Sequence, residues 1–255
     1  MIKKRRVLIV SEGADDKWFV RRLFEHFMGD CSYEVVTFKT DVYQLYEMCS
    51  EPLEETYLPS LLLERNKQLS SEERKRLLMP FTDIFLIFDF DPQAETYDAN
   101  KLLTLMGHFC DSTDYGQLYI NYPMLEPYRY IPEDDLQNGG ISKTFQMAEF
   151  LENELRSDKK GRNKFKRDVA KFGFTRKAIS QDECLTIIKN HSCKARRLIR
   201  KTENKNLSQK NFITLLKKQS ESFNRTKRAK ILNTSLLLVE EYYACRIEDC
   251  VFPAK

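Results

Sequence analysis

The run from Asp83 to Phe90, read DIFLIFDF, restricts the possible folds more than any other stretch of the chain. Five consecutive apolar residues stand between two carboxylates. Apolar and β-branched or aromatic residues at this length form a strand covered on both faces, the kind found inside a parallel sheet. A second such run, Arg5 to Ser11, has four apolar residues in a row and ends at Glu12-Gly13. Between them, Ala14 to Met28 carries Trp18, Phe19, Leu23, Phe24 and Phe27 at helical steps, and Tyr33 to Phe38 reads as a strand. Strand, tight turn, helix and strand open a βαβ arrangement. The expected class is therefore α/β with a mainly parallel, Rossmann-like sheet.

Further along, Asp41 to Pro80 has helical character, with Ser70 and Glu73 spaced as a capping box. It separates two strands and predicts a helical insertion over about 41–80. A helix follows near Ala99 to Cys110, then a strand at Gln117 to Asn121. A stretch punctuated by Pro123, Pro127 and Pro132 comes next, then a turn at Gly139-Gly140 and a helix from Thr144 to Leu155. Beyond Arg156 helices are expected near Arg162–Phe172, Gln181–Lys189, Ser208–Phe223 and Ala229–Cys245.

Charge divides the chain at the same place. Residues 1–155 hold 16 Lys/Arg against 28 Asp/Glu, whereas residues 156–230 hold 24 against 6. Two domains are expected, 1–155 and a basic α-helical region over 156–255. An acidic part joined to a basic one suits a metal-using enzyme acting on a polyanion, since cations gather phosphates and a divalent ion lets carboxylates approach them. No apolar run approaches the roughly 20 residues of a membrane span, and Lys3 to Arg6 precede too short a run for a signal peptide. Seven scattered cysteines with no CxxC pair indicate reduced thiols rather than a zinc site at His191 and Cys193. The expectation is a cytoplasmic protein with no membrane partner.

In parallel sheets functional groups collect at the carboxyl ends of strands. Glu12 follows the first strand, Asp89 and Asp91 end the third, and Glu126 follows the fourth. Strand alternation lets Asp89 and Asp91 point one way while Phe90 turns to the core. Three carboxylates from neighbouring strands form an oxygen-rich site suited to Mg²⁺ or Mn²⁺.

Leu8 to Asp16, LIVSEGADD, resembles the first Toprim motif, and Phe85 to Gln93, FLIFDFDPQ, resembles the second. The resemblance covers about residues 5–145. It implies a Toprim-like fold, with Glu12, Asp16, Asp89 and Asp91 matched to the family's acids. Tyr119 to Tyr130, YINYPMLEPYRY, resembles a stretch in small stand-alone Toprim nucleases of bacterial phage defence. Those include the nuclease partner of an ABC-type ATPase in the phage anti-restriction-induced system, and OLD-type nucleases are related. The resemblance implies a toxic antiviral effector nuclease directed at tRNA and restrained by an ATPase partner. By the same resemblance Glu126 is an added metal ligand and Lys143 the cation facing the developing phosphorane charge.

The basic clusters supply candidate nucleic-acid contacts at Lys160, Arg162, Lys164, Lys166, Arg167, Arg196, Arg197 and Arg200, with Phe165, Phe172 and Phe174 among them. RNA and DNA are both open as substrates, as is a homodimer through the Leu236 to Val239 run. Two other readings stand beside the nuclease. FLIFDFD also resembles the nucleophile strand of haloacid-dehalogenase phosphatases, although Gln93 departs from that pattern and Glu12-Gly13 would go unexplained. A non-catalytic Toprim scaffold that binds nucleic acid is the other.

Overall fold

The computed structural model describes residues 5–27, 29, 31–137, 154–156, 159–174, 178–200 and 207–243. Its strands and helices run β1 (Arg6–Ser11), α1 (Ala14–Phe27), β2 (Ser32–Thr37), α2 (Val42–Met48), α3 (Leu58–Arg65), α4 (Ser71–Leu78) and β3 (Asp83–Asp89). They continue with α5 (Ala99–His108), β4 (Cys110–Asp111), β5 (Gly116–Tyr122), α6 (Glu133–Gln137), β6 (Glu154–Arg156), α7 (Lys159–Phe172) and α8 (Gln181–Ile199). The last are α9 (Gln209–Thr226), β7 (Arg228–Lys230), β8 (Leu232–Asn233) and α10 (Leu237–Tyr243).

The fold is α/β, with a mixed sheet in the order β2-β1-β3-β5-β4 and β8 added to β5. β1 is parallel to β2 and to β3, while β4 and β8 run antiparallel to β5. The chain forms two compact units, Met1–Phe88 with Asp98–Tyr119, and Asp89–Tyr97 with Ile120–Lys255. The charge step near residue 155 lies inside the second unit.

In the first unit Val7 to Val10 of β1 and Phe85 to Phe88 of β3 are fully buried, as double-faced strands require. The paired register Ser11 with Ile87 brings the two strands to their carboxyl ends together. Asp83 begins β3 as a buried acid, held by the Arg5 guanidinium at 2.8 Å and by the Ser112 hydroxyl at 2.9 Å. The predicted capping box at Ser70 and Glu73 is present at the start of α4.

Gly116 starts β5 at φ +121°, and a Cβ there would lie 2.8 Å from Leu86 Cδ1 and 3.1 Å from Ile84 Cγ2. Only glycine combines that dihedral with that approach. Gly116→Ala is expected to lower stability by about 2–3 kcal/mol through strain and overpacking. A fall in the urea midpoint at unchanged slope checks it.

In the second unit Met124, Phe165, Val169 and Ile231 form a buried cluster with Tyr130 against it. Phe165 and Phe174 are therefore core residues, not platforms for bases, as are Phe212, Leu215, Leu216 and Phe223. Leu236 to Val239 is also buried within this unit, so this run is core.

The helix predicted over Ala229–Cys245 is corrected. Residues 228–230 pair with β6, Leu232 and Asn233 pair with β5, and helix resumes only at Leu237. Gln219 enforces the extended path, accepting from Lys230 N at 2.9 Å and donating to Lys230 O at 2.8 Å. Of the helix predicted at Thr144–Leu155, residues 144–153 lie outside the described residues, as does the Gly139-Gly140 turn, and residues 154–155 are strand.

Candidate metal and phosphate site

Glu12 leaves β1 where the chain turns into α1. Its N–H donates to Ile87 O at 3.2 Å, and its carbonyl accepts from Lys39 N at 3.0 Å. The main chain at Glu12 is thereby gripped by the end of β3 on one side and by residues following β2 on the other. The side chain is partly exposed. Asp16 lies in the first turn of α1, and its side chain is outside the described residues.

In the second unit, the segment from Asp89 onward is anchored by two main-chain bonds, Phe90 N to Asn121 O at 2.9 Å and Asp91 N to Pro123 O at 3.3 Å. Phe90 is fully buried, with its ring packed on Tyr122 at 5.2 Å and edge-on to Tyr97 at 5.7 Å. Asp89 and Asp91 are partly exposed, with one carboxylate oxygen of each, Oδ1, buried. Phe90 faces the core as expected, but the strand ends at Asp89, so strand alternation does not extend to Asp91.

Asp91 sits at φ +34°. Positive φ is uncommon outside glycine and tolerated best by Asn and Asp. The bend lets its carbonyl accept from Ala94 N at 3.0 Å and turns the chain out of the sheet.

Glu126 opens the 3₁₀ turn Glu126–Arg129, and its Oε1 meets Lys166 Nζ of α7 at 2.6 Å. Sequence reasoning assigned these two residues to metal and to nucleic acid, but here they hold each other. Lys143 is outside the described residues.

Among the described residues, no three His, Cys, Asp or Glu side chains are gathered closely enough to hold a metal ion. The donor chemistry at the ends of β1 and β3 is carboxylate oxygen, which suits a hard divalent cation such as Mg²⁺ or Mn²⁺ better than zinc.

Lys160, Lys164, Lys166 and Arg167 are exposed along α7, whose buried stripe is Phe165 and Val169. The side chain of Arg162 is outside the described residues. Arg197 and Arg200 are exposed at the end of α8. Arg196 is different. It is buried, its guanidinium is paired with the buried carboxylate of Glu240, and its Nε donates to Ser192 Oγ at 3.3 Å. Its place in a nucleic-acid surface is corrected to a place in the core. The missed signal was Glu240, the first of two acids that follow the apolar run Leu236 to Val239.

His191 is fully buried, and its Nδ1 accepts from Asn233 N at 3.0 Å. Burial, reinforced by the charge of Lys194, lowers its pKa from 6.5 to about 3. Between those values the unfolded chain takes up a proton at this position that the folded chain refuses. Stability is fully present above pH 6.5 and is lost as pH falls toward 3, by about 1.4 kcal/mol per unit at most. His191→Gln is expected to flatten that part of the stability–pH curve, measured by urea unfolding between pH 7 and 4.

Compared with protein-family models, curated proteins and solved structures, the chain matches none. Among the described residues no helix is long and apolar enough to cross a membrane.

Proposed function

We propose that this chain is a Toprim-like, Mg²⁺- or Mn²⁺-dependent nuclease that hydrolyses phosphodiester bonds, with tRNA or other RNA favoured and DNA the alternative substrate. The observation that carries the reading is the strand-end placement of the acids. Glu12 follows β1 with its main chain bonded to Ile87 of β3, and Asp89 ends that same strand with Asp91 two residues on. The sequence motifs that resemble Toprim fall on these residues.

Under this reading Glu12, Asp89 and Asp91 would bind the cation, with Asp16 and Glu126 as further ligands, although the described acids form no ligand group of three as they stand. When bound, such a cation activates water and neutralises charge on the leaving oxygen. The chain's own part is to fix the acids. Two main-chain bonds, from Phe90 N and Asp91 N, and the buried Phe90 ring fix the main chain from which Asp89 and Asp91 project. The exposed cations of α7 and of the α8 terminus attract the phosphate backbone without reading sequence. Lys143 is the proposed cation beside the reacting phosphate. In the biological setting that the resemblance implies, the chain is a toxic antiviral effector kept latent by an ABC-type ATPase.

The test is incubation of the purified chain with labelled tRNA, single-stranded DNA and plasmid, each with Mg²⁺, Mn²⁺ or EDTA. Cleavage that requires metal and disappears in Glu12→Ala is expected. Release of phosphate from monoesters alone would move the assignment to the phosphatase class. Binding without cutting in every metal, also with the ATPase present and triggered, would make the chain a scaffold.

A further inference from the structure

The acidic first unit carries a surface that the nuclease reading does not use. Among the described residues, the large apolar side chains most open to solvent are Tyr57, Leu78 and Met79, each more than half exposed. All three line one cavity of about 430 Å³. Scattered apolar residues on a surface need no explanation, but their concentration around one concavity does.

The rim is preorganised. The Arg6 guanidinium donates to Met79 O at 3.0 Å, to Pro80 O at 3.1 Å and to Arg76 O at 2.6 Å, and it stacks 4.3 Å from the Phe81 ring. The segment that presents Leu78 and Met79 is thus clamped by Arg6, so an occupant would not have to order it.

Charge selects the occupant. Glu54, Glu55 and Asp114 line the cavity and are exposed, and no Lys or Arg is among the lining residues. Three exposed carboxylates against the one guanidinium of Arg6 leave the rim net acidic, which repels nucleic acid and attracts a cationic segment. The three apolar side chains are each more than half exposed rather than enclosed, which suits side chains entering from a helix or strand more than an engulfed small molecule.

We propose that this groove docks a basic amphipathic segment of a partner protein, whose large apolar side chains enter between Tyr57, Leu78 and Met79 while its Lys or Arg residues meet Glu54, Glu55 and Asp114. The proposal is independent of nuclease activity.

Fluorescence anisotropy on the full chain tests it. The probe is a labelled 14-residue helical peptide of Leu and Lys, compared with the same peptide carrying Glu at every Lys position. The Lys peptide is expected to bind at least tenfold more tightly than the Glu peptide. The double variant Leu78→Ser, Met79→Ser is expected to weaken it at least tenfold, as is Glu54→Lys, Glu55→Lys. The control Glu64→Lys, an exposed acid outside the groove, is expected to change it less than twofold. Equal binding by both peptides, or no loss in the serine variant, overturns the proposal, because adhesion would then be merely apolar or merely electrostatic. A dimer in sedimentation that dissociates in the serine variant also overturns it, since a second copy would then cover the groove.

Discussion

Replacing Asp89 by Asn is expected to reduce metal-dependent cleavage by about a thousandfold or more, because it removes a negative ligand from an ion on which both water activation and leaving-group stabilisation depend. Asn matches Asp in volume, and Oδ1 of Asp89 is a buried atom. The fold is therefore expected to survive, with a melting curve in EDTA close to that of the unmodified chain. The two chains should part when Mn²⁺ is added. An ion at a hundred times its dissociation constant stabilises the folded state by about 2.7 kcal/mol, and Asp89→Asn should lose most of that shift. Equal Mn²⁺ stabilisation in both chains would remove Asp89 from the ion-binding set, whatever the cleavage rates.

The second large effect lies in the core of the second unit. Arg196→Ala would leave the Glu240 carboxylate buried without its guanidinium. Removing one partner of a buried ion pair costs about 3–5 kcal/mol, far more than an exposed pair is worth. Arg196→Ala is therefore expected to shift the urea midpoint severely, and Arg196→Met with Glu240→Leu to recover much of the loss. Arg197→Ala, next in the chain but exposed, is expected to change stability by less than about 0.5 kcal/mol. Under the nuclease reading, Arg197→Ala instead weakens RNA binding and lowers its salt dependence. A similar stability loss in both variants would contradict the different environments of these neighbouring arginines.

The groove at Tyr57, Leu78 and Met79 and the acids at the strand ends occupy different elements of the chain. One invites a cationic protein segment and the other, once loaded with a cation, a polyanion. Under both proposals the chain has separate surfaces for a protein partner and for substrate, consistent with an effector whose activity another protein restrains.

Much of this was legible from local pattern. Strands such as β1 and β3 announce themselves because a strand buried on both faces must be apolar at every position. The acids that end them stand out because a carboxylate directly after such a run has few structural reasons to be there. The capping box at Ser70 and Glu73 is equally local, requiring only two side chains three residues apart. Burial of Arg196, the Glu126–Lys166 pair, the extended path of residues 228–233 and the left-handed turn at Asp91 were not legible. The first three depend on groups elsewhere in the chain, Glu240, Lys166 and Gln219, and the turn at Asp91 is tied in by its N–H to Pro123 O. A charged residue on a helix reads the same whether it faces water or a buried counter-charge, and only packing distinguishes the two. Periodicity and composition were sufficient for the strands and for where acidic residues would end them. The fate of each individual charge was decided by long-range contacts, because the stability of a charge depends on the dielectric and the partners that the completed fold places around it.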